Sequence, residues 1–217
     1  MNQQKNKIKL IAIITMCFIL GMISFVTNMA APFGTIWGHK YEWAGMMGNM
    51  MVFAAYLFMG IPAGKMLVKI GYKKTVLAAL IIGIIGLGTQ YLSSIVGANI
   101  QVSTYANQPI ALNLIIYLLG AFICGFCVCM LNTAANPMLN TLGSGGNRGN
   151  QLIQIGGTLS SLVATLTPFF VGLLVGTVSA NTSMSDVTPL LFIGIAVFII
   201  SFLVILRVEI PDRKSVV

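Results

Sequence analysis

The stretch LLGAFICGFCVCMLNTAANPML, residues 118–139, is apolar over most of its length and then carries two asparagines and a proline. Asn132 and Asn136 are four residues apart, so both amides fall on one face of a helix. Pro137 follows and interrupts the backbone hydrogen-bond ladder at the same depth. Because unpaired polar groups are costly in hydrocarbon, such side chains face a neighbouring helix or a water-filled cavity. We therefore expect the chain to touch a solute here.

The composition of the chain is that of a polytopic membrane protein. Its 217 residues are 57% hydrophobic and 7% charged, with a mean hydropathy of +0.94, whereas a soluble domain carries about 25% charged residues. The net charge of +8 does not indicate nucleic acid, because the basic residues fall in short loops between apolar runs. The four cysteines lie within apolar runs, far in sequence from the single histidine, so we expect packing residues, no metal site and no cofactor.

The apolar runs predict an all-α fold with six transmembrane helices in one bundle, residues 1–217. Each run reaches the roughly 20 residues that a helix needs to cross about 30 Å of hydrocarbon. The first run follows a lysine-rich start, but it is too long for a cleaved signal peptide, so we interpret it as a signal anchor. The predicted spans are 9–35, 43–67, 75–97, 110–141, 150–178 and 188–208.

The distribution of basic residues predicts the orientation. With the N-terminus inside, eleven of the 12 lysines and arginines are on the inner side and only Lys40 is outside. We therefore expect a multi-pass protein of the inner (plasma) membrane with both termini in the cytoplasm. Trp37 and Trp43 bracket the first outer loop, where we expect them to anchor at the interface. The inner basic residues are Lys5, Lys7, Lys9, Lys65, Lys69, Lys73, Lys74, Arg148, Arg207, Arg213 and Lys214.

The four carboxylates all lie outside the predicted spans, so these six helices lack the usual acidic group of a proton or sodium site. They are Glu42, Asp186, Glu209 and Asp212.

The six spans divide into two sets of three. The segments 27–32 and 132–137 both place an asparagine, two alanines and a proline late in a helix, and 60–64 and 172–176 are both small-xxx-small pairs. Such pairs allow close approach between helices. Because the paired helices cross in opposite senses, the pattern predicts a 3+3 inverted repeat, which is typical of transporters.

The inner segment 64–74 resembles the G-x-x-x-D-R-x-G-R-K loop of the major facilitator superfamily. The matching residues are Gly64, Lys69, Gly71, Lys73 and Lys74. The resemblance implies that Gly64, Lys69, Gly71 and Lys73 form an inner gate. Val68 stands where the family has its aspartate, which implies a weaker latch. An ordinary basic loop with a turn glycine remains the alternative.

The segment NTAANPMLNTLG, 132–143, resembles the E-T-A-A-N-P-x-x-x-x-L-G signature of the fucose and glucose/galactose permease branch. The segment 147–150 is similar to the branch's R-x-N start of helix five, which a glutamine follows, here Gln151 or Gln154. The resemblance covers the whole chain but only the N-terminal six-helix half of a twelve-helix transporter. It implies a second six-helix bundle, either a C-terminal half or a second copy of this chain.

The resemblance also implies a sugar site. Asn132 stands where the branch has a glutamate, and the amide of Asn28 lies where it has an aspartate, so proton coupling stays open. Sugar binding does not require those acids, because amides bond hydroxyls too. The substrate-binding candidates are Asn132, Asn136, Asn28 and Gln154, whereas Tyr56 and Gln90 are expected to join helices.

Together these patterns predict one wall of a monosaccharide path that works by alternating access, with a sugar, the lipid bilayer and a second bundle as partners. A truncated product that does not transport, or a membrane assembly or sensory subunit, is the alternative. We expect no enzyme, because the sequence has no histidine cluster, no acid pair in the membrane and no matched nucleophile and base.

Overall fold

The computed structural model describes residues 2–179 and 181–208, and the side chains from residue 7 onward. The chain is predominantly helical. The helices are α1 (Asn2–Asn28), α2 (Ala30–Lys40), α3 (Met47–Ile95), α4 (Leu112–Leu142), α5 (Gly146–Val175) and α6 (Thr188–Arg207), with a short 3₁₀ turn at Glu42–Ala44. Within the described residues five helical segments are long and apolar enough to cross a membrane. The Lys5 side chain, Glu209, Asp212, Arg213 and Lys214 lie outside the described part.

Helices α1 and α2 form one long apolar segment with an interruption at Met29. Pro32 has no N–H to donate to the carbonyl of Asn28, so a bond of the helical ladder is missing there. Met29 keeps helical angles, with φ −62° and ψ −22°, and the chain continues in the same sense. The similar motif in α4 does not interrupt its helix, which runs through Pro137. The two motifs therefore differ in structure.

Helix α3 folds back on itself at Gly71, which has φ 83° and ψ 173°. A Cβ added to Gly125 of α4 would meet Val52, and one added to Gly86 would meet Cys124. Val52 and Gly86 would be about 50 Å apart in a straight helix, yet both contact α4 at adjacent residues. The two halves of α3 therefore lie side by side. The segment predicted as an inner loop is helical except at this glycine, whose left-handed φ makes the reversal.

The contacts between helices show in which direction each one runs. The first half of α3 runs parallel to α4, and the second half runs antiparallel to it. The pairs in register are Gly48 with Tyr117, Tyr56 with Asn132, Gln90 with Gly120, and Gly83 with Cys127.

The remaining helices follow the same alternation. Helix α5 runs parallel to α1, and α6 runs antiparallel to the second half of α3. The pairs are Cys17 with Gly156, Ser24 with Ser160, Gly83 with Phe198, and Ser94 with Thr188.

The bundle has two chemically different ends. At one end, which we call the basic end, Lys9 Nζ lies 3.4 Å from Ser144 Oγ, and Lys73 Nζ donates to the Leu206 carbonyl oxygen at 2.9 Å. Of the lysines and arginines with described side chains, only Lys40 lies at the opposite end. Those at or near the basic end are Lys7, Lys9, Lys65, Lys69, Lys73, Lys74, Arg148 and Arg207.

The opposite end carries a β-hairpin that the sequence did not predict, so the all-α expectation holds only for the bundle. Strands β1 (Gln101–Tyr105) and β2 (Gln108–Ala111) pair antiparallel across Ala106 and Asn107. Both turn residues have positive φ, 51° and 61°, as a two-residue type I′ turn requires. Tyr41 Oη donates to the Pro109 carbonyl at 3.0 Å and fixes the hairpin to the end of α2. We call this the hairpin end.

Trp37 does not anchor the chain at a lipid interface. Its side chain is 1% exposed and packs between Tyr41 and Tyr117, with ring centroids 6.3 and 5.6 Å away. The expectation of an interfacial indole is therefore wrong at this position, because the aromatic residues at the hairpin end pack against one another.

The small-xxx-small pairs do not bring helices together within the described residues. A Cβ added to Gly60, Gly64 or Gly172 would meet nothing within 4 Å. Close approaches occur instead at glycines that the sequence did not single out, such as Gly86 and Gly125. The glycines of these pairs therefore stay open within this bundle.

Candidate functional site

Asn132 joins two helices and keeps its acceptor oxygen available. Its Nδ2 donates to Tyr56 Oη across 3.1 Å, which links α4 to the first half of α3. The side chain is half-buried, and its Oδ1 makes no hydrogen bond to any described residue. Asn132 therefore acts as a helix–helix contact and still offers an acceptor.

The other two candidate asparagines are also half-buried. Asn28 Nδ2 donates to the Ser24 carbonyl oxygen of its own helix at 2.8 Å. Asn136, one turn beyond Asn132 on α4, has no hydrogen-bond partner among the described side chains and backbone groups. Neither amide bonds another helix, so the Asn136 side-chain amide and the Oδ1 of Asn28 are available to a ligand.

Asn28 and Asn132 lie at the same depth in the bundle. Their distances along the helix from the contacts of Gly156 show this. Gly156 of α5 packs against both Leu20 of α1 and Leu139 of α4. From there, Asn28 is about 12 Å and Asn132 about 10 Å toward the hairpin end, at 1.5 Å per residue. The structure therefore brings these two predicted residues to one level of the bundle.

Gln154 belongs to a different level and a different surface. It lies about 3 Å from Gly156 toward the basic end, and its side chain is exposed. It is part of a row of exposed polar residues on α5, spaced alternately by three and four. We call this row the α5 polar stripe: Gln151, Gln154, Thr158, Ser161 and Thr165.

The α5 polar stripe is the feature that our sequence reasoning missed beyond its two glutamines. Its spacing of three and four is visible in the sequence, because residues so spaced share a helix face. Thr158 and Thr165 bond carbonyl oxygens of their own helix. Among the described residues, no side chain of the stripe bonds another helix. The side chains of Gln151, Gln154 and Ser161 make no hydrogen bond to any described residue, and they require water or a protein partner, since hydrocarbon satisfies neither donors nor acceptors.

Helix α5 is held mainly by α1. Ser24 Oγ and Ser160 Oγ lie 2.5 Å apart, and Ser160 Oγ also lies 3.2 Å from the Leu20 carbonyl oxygen. The contact between Ser24 and Ser160 lies one turn from Asn28. The α5 polar stripe remains on a surface of α5 that the bundle does not cover.

The four residues expected at the inner gate lie in the two halves of α3 and its turn. Gly71 makes the turn, and Lys73 Nζ donates to the carbonyl oxygens of Leu206 and Val208 at 2.9 and 3.0 Å. A lysine in this place satisfies carbonyls that the end of α6 leaves free. Lys69 is exposed and Gly64 is open on its Cβ side.

The buried cysteines are packing residues. Cys124 and Cys127 are 4% and 0% exposed, and they sit where a Cβ on Gly86 or Gly83 would go. Within the described part of the chain, no group of three histidine, cysteine or acidic side chains could hold a metal ion.

Comparisons with protein-family models, with curated proteins and with solved structures found no match to this chain. The functional conclusion therefore rests on the sequence resemblance and on the geometry above.

Proposed function

We propose that this chain is one six-helix half of a secondary transporter of the major facilitator type, and that it forms one wall of a monosaccharide path. The observation that carries the proposal is the α5 polar stripe, which runs along a membrane helix and faces away from its own bundle. A water-filled path beside a second bundle satisfies these groups, whereas lipid does not.

The reversal at Gly71 supports six crossings in this proposal. Each half of α3 has 24 residues, about 36 Å of helix, which is enough to span about 30 Å of hydrocarbon. The alternating directions of the helices are those of successive crossings. With the basic end in the cytoplasm, both termini lie inside, in agreement with the positive-inside rule.

Asn28 and Asn132 are the residues that we assign to sugar binding, with Asn136 next to them. They lie at one depth, they are half-buried, and amides donate to and accept from hydroxyl groups. Gln154 lies on the same path, closer to the cytoplasm. No carboxylate accompanies them among the described residues of the helices, so proton coupling would have to come from the second bundle.

The second bundle docks along α5 and the first half of α3 in this proposal. The glycines Gly60, Gly64 and Gly157 have nothing on their Cβ side within 4 Å, so they leave room there for another helix to approach closely. Alternating access then rocks one bundle against the other around the asparagines. The partner is a C-terminal half or a second copy of this chain.

Uptake of labelled fucose, glucose and galactose into vesicles tests the proposal. The chain as a proven monomer should give background uptake, because one bundle has no opposing wall. The chain as a dimer, or expressed with a C-terminal half, should give uptake that unlabelled sugar competes away. Robust uptake by the monomer would contradict the two-bundle account. No uptake with any partner would favour the alternative, a non-transporting product or an assembly or sensory subunit.

A further inference from the structure

An apolar groove of about 740 Å³ runs between α1, α5 and α6, next to the α5 polar stripe. It exists because α5 leans on α1 and barely touches α6. On α1 the lining extends from Ile13 to Phe25, about 18 Å along the axis. Ile14 and Phe18 remain exposed along it, at 59% and 48%.

The groove suits a hydrocarbon chain, because its lining residues are all apolar or small. On α5 the lining extends from Ile155 to Leu174, about 28 Å along the axis, which is close to the roughly 30 Å of the hydrocarbon core. An acyl chain that enters at the basic end therefore has room to lie within the groove.

A second cavity of about 300 Å³ continues the groove at the basic end. The two cavities share Ile13 and Ile155, so they form one continuous surface. The second cavity is lined by Lys9 and Arg148, together with Ser144, whose hydroxyl contacts the Lys9 ammonium.

Neither cation has an acidic partner in the part of the chain that the structure describes. The two carboxylates described, Glu42 and Asp186, are at the hairpin end, and no ion pair occurs among the described residues. Helix α5 also begins here, at Gly146, without a side-chain cap. Its free N–H groups and the positive end of its dipole add to the attraction for an anion.

We infer that this surface binds one anionic phospholipid of the inner leaflet, with an acyl chain in the groove between α1, α5 and α6 and the phosphate between Lys9 and Arg148. Gln151 of the α5 polar stripe also lines the second cavity. The site still does not depend on the proposed transport function, because it uses none of the asparagines assigned to sugar binding.

Native mass spectrometry of the full chain in a neutral detergent tests this inference. The probes are phosphatidylglycerol, phosphatidylcholine with the same acyl chains, and glycerol phosphate. The chain should bind one phosphatidylglycerol about tenfold more tightly than phosphatidylcholine, since each nearby basic residue contributes attraction to an anionic lipid. Glycerol phosphate should not compete at equal concentration. Equal affinity for both lipids, or binding of glycerol phosphate as tight as that of the anionic lipid, would overturn the inference.

Two variants locate the site. The double variant Lys9→Gln with Arg148→Gln should abolish the preference for the anionic lipid, and the matched control Lys65→Gln with Lys74→Gln should keep it. Leu159→Trp, which fills the groove, should reduce binding of both lipids, with unchanged helicity by circular dichroism. A preference that survives the first double variant, or that the control removes equally, would show that the lipid is not bound here.

Discussion

Helices α4 and α5 are consecutive and almost equal in length, 31 and 30 residues, yet their environments are opposite. Of the most apolar 18-residue window, 61% is buried in α4 and 11% in α5. Asn132 on α4 bonds another helix, whereas the exposed polar residues of α5 do not. The difference shows that α4 holds the bundle together and that α5 forms its open edge.

The open edge itself has two kinds of surface. From Gln154 onward, each residue of the α5 polar stripe is followed in sequence by an exposed apolar residue, as Leu162 follows Ser161. Neighbouring residues point about 100° apart on a helix, since each turn holds 3.6 residues. One helix therefore presents a face suited to water or a partner and a face suited to lipid.

The largest expected effect concerns packing. A Cβ on Gly125 of α4 would lie 2.5 Å from the Val52 carbonyl oxygen and 2.6 Å from Ala55 Cβ, whereas one on Gly157 of α5 would meet nothing within 4 Å. Gly125→Leu should lower the free energy of unfolding by about 3 kcal/mol through overpacking, and Gly157→Leu by less than about 0.5 kcal/mol. Denaturation in mixed micelles measures both. Equal losses would mean that α5 is packed as closely as α4.

The next effect concerns the proposed sugar site in the assembled two-bundle protein. Asn132→Ala should weaken equilibrium sugar binding by about 1–3 kcal/mol, because a hydroxyl loses its partner. The control Thr133→Val, at a hydroxyl that bonds the Cys129 carbonyl of its own helix, should bind as the parent does.

The same site predicts how binding responds to pH. An amide takes up no proton between pH 5 and 8, so the parent should bind sugar nearly independently of pH, and Asn132→Glu should introduce a dependence. If Asn132→Ala binds as tightly as the parent, Asn132 is only a packing residue.

The smallest expected effect concerns one hydrogen bond. Tyr56→Phe removes the acceptor of the Asn132 amide, and such bonds between membrane helices contribute about 0.6 kcal/mol to stability. Tyr91→Phe is the control, because the Tyr91 hydroxyl bonds no described residue. A loss of stability that is the same in both variants, measured by denaturation, would show that this bond does not join the helices.

The helical bundle was largely predictable because hydrophobic length is a strong signal. The spans predicted at 110–141, 150–178 and 188–208 overlap α4, α5 and α6 closely. The hairpin was not predicted, because its strands are five and four residues long and lie in a polar connection. The sequence also could not show that 64–74 is helical around Gly71, since basic residues between apolar runs are equally typical of a loop.

The site was predictable residue by residue but not as an arrangement. The spacing of Asn132 and Asn136 placed both on one helix face, whereas the depth shared with Asn28 depends on the contacts of Gly156. Tertiary packing decides which glycines approach a neighbouring helix. The glycines of the pairs at 60–64 and 172–176 do not approach one. The exposure of the α5 side chains likewise depends on which helices pack against α5, and a local sequence pattern does not contain that information.

The most direct test of the central claim is the reactivity of single added thiols at adjacent positions of α5. Ser161→Cys lies on the α5 polar stripe and Leu162→Cys beside it at the same depth, and the four native cysteines are buried. A thiol reacts as its thiolate, which forms in water and not in hydrocarbon. In the reconstituted two-bundle protein, a water-soluble thiol reagent should modify Ser161→Cys at least about tenfold faster than Leu162→Cys. Equally slow modification of both would place the stripe in lipid and contradict the account.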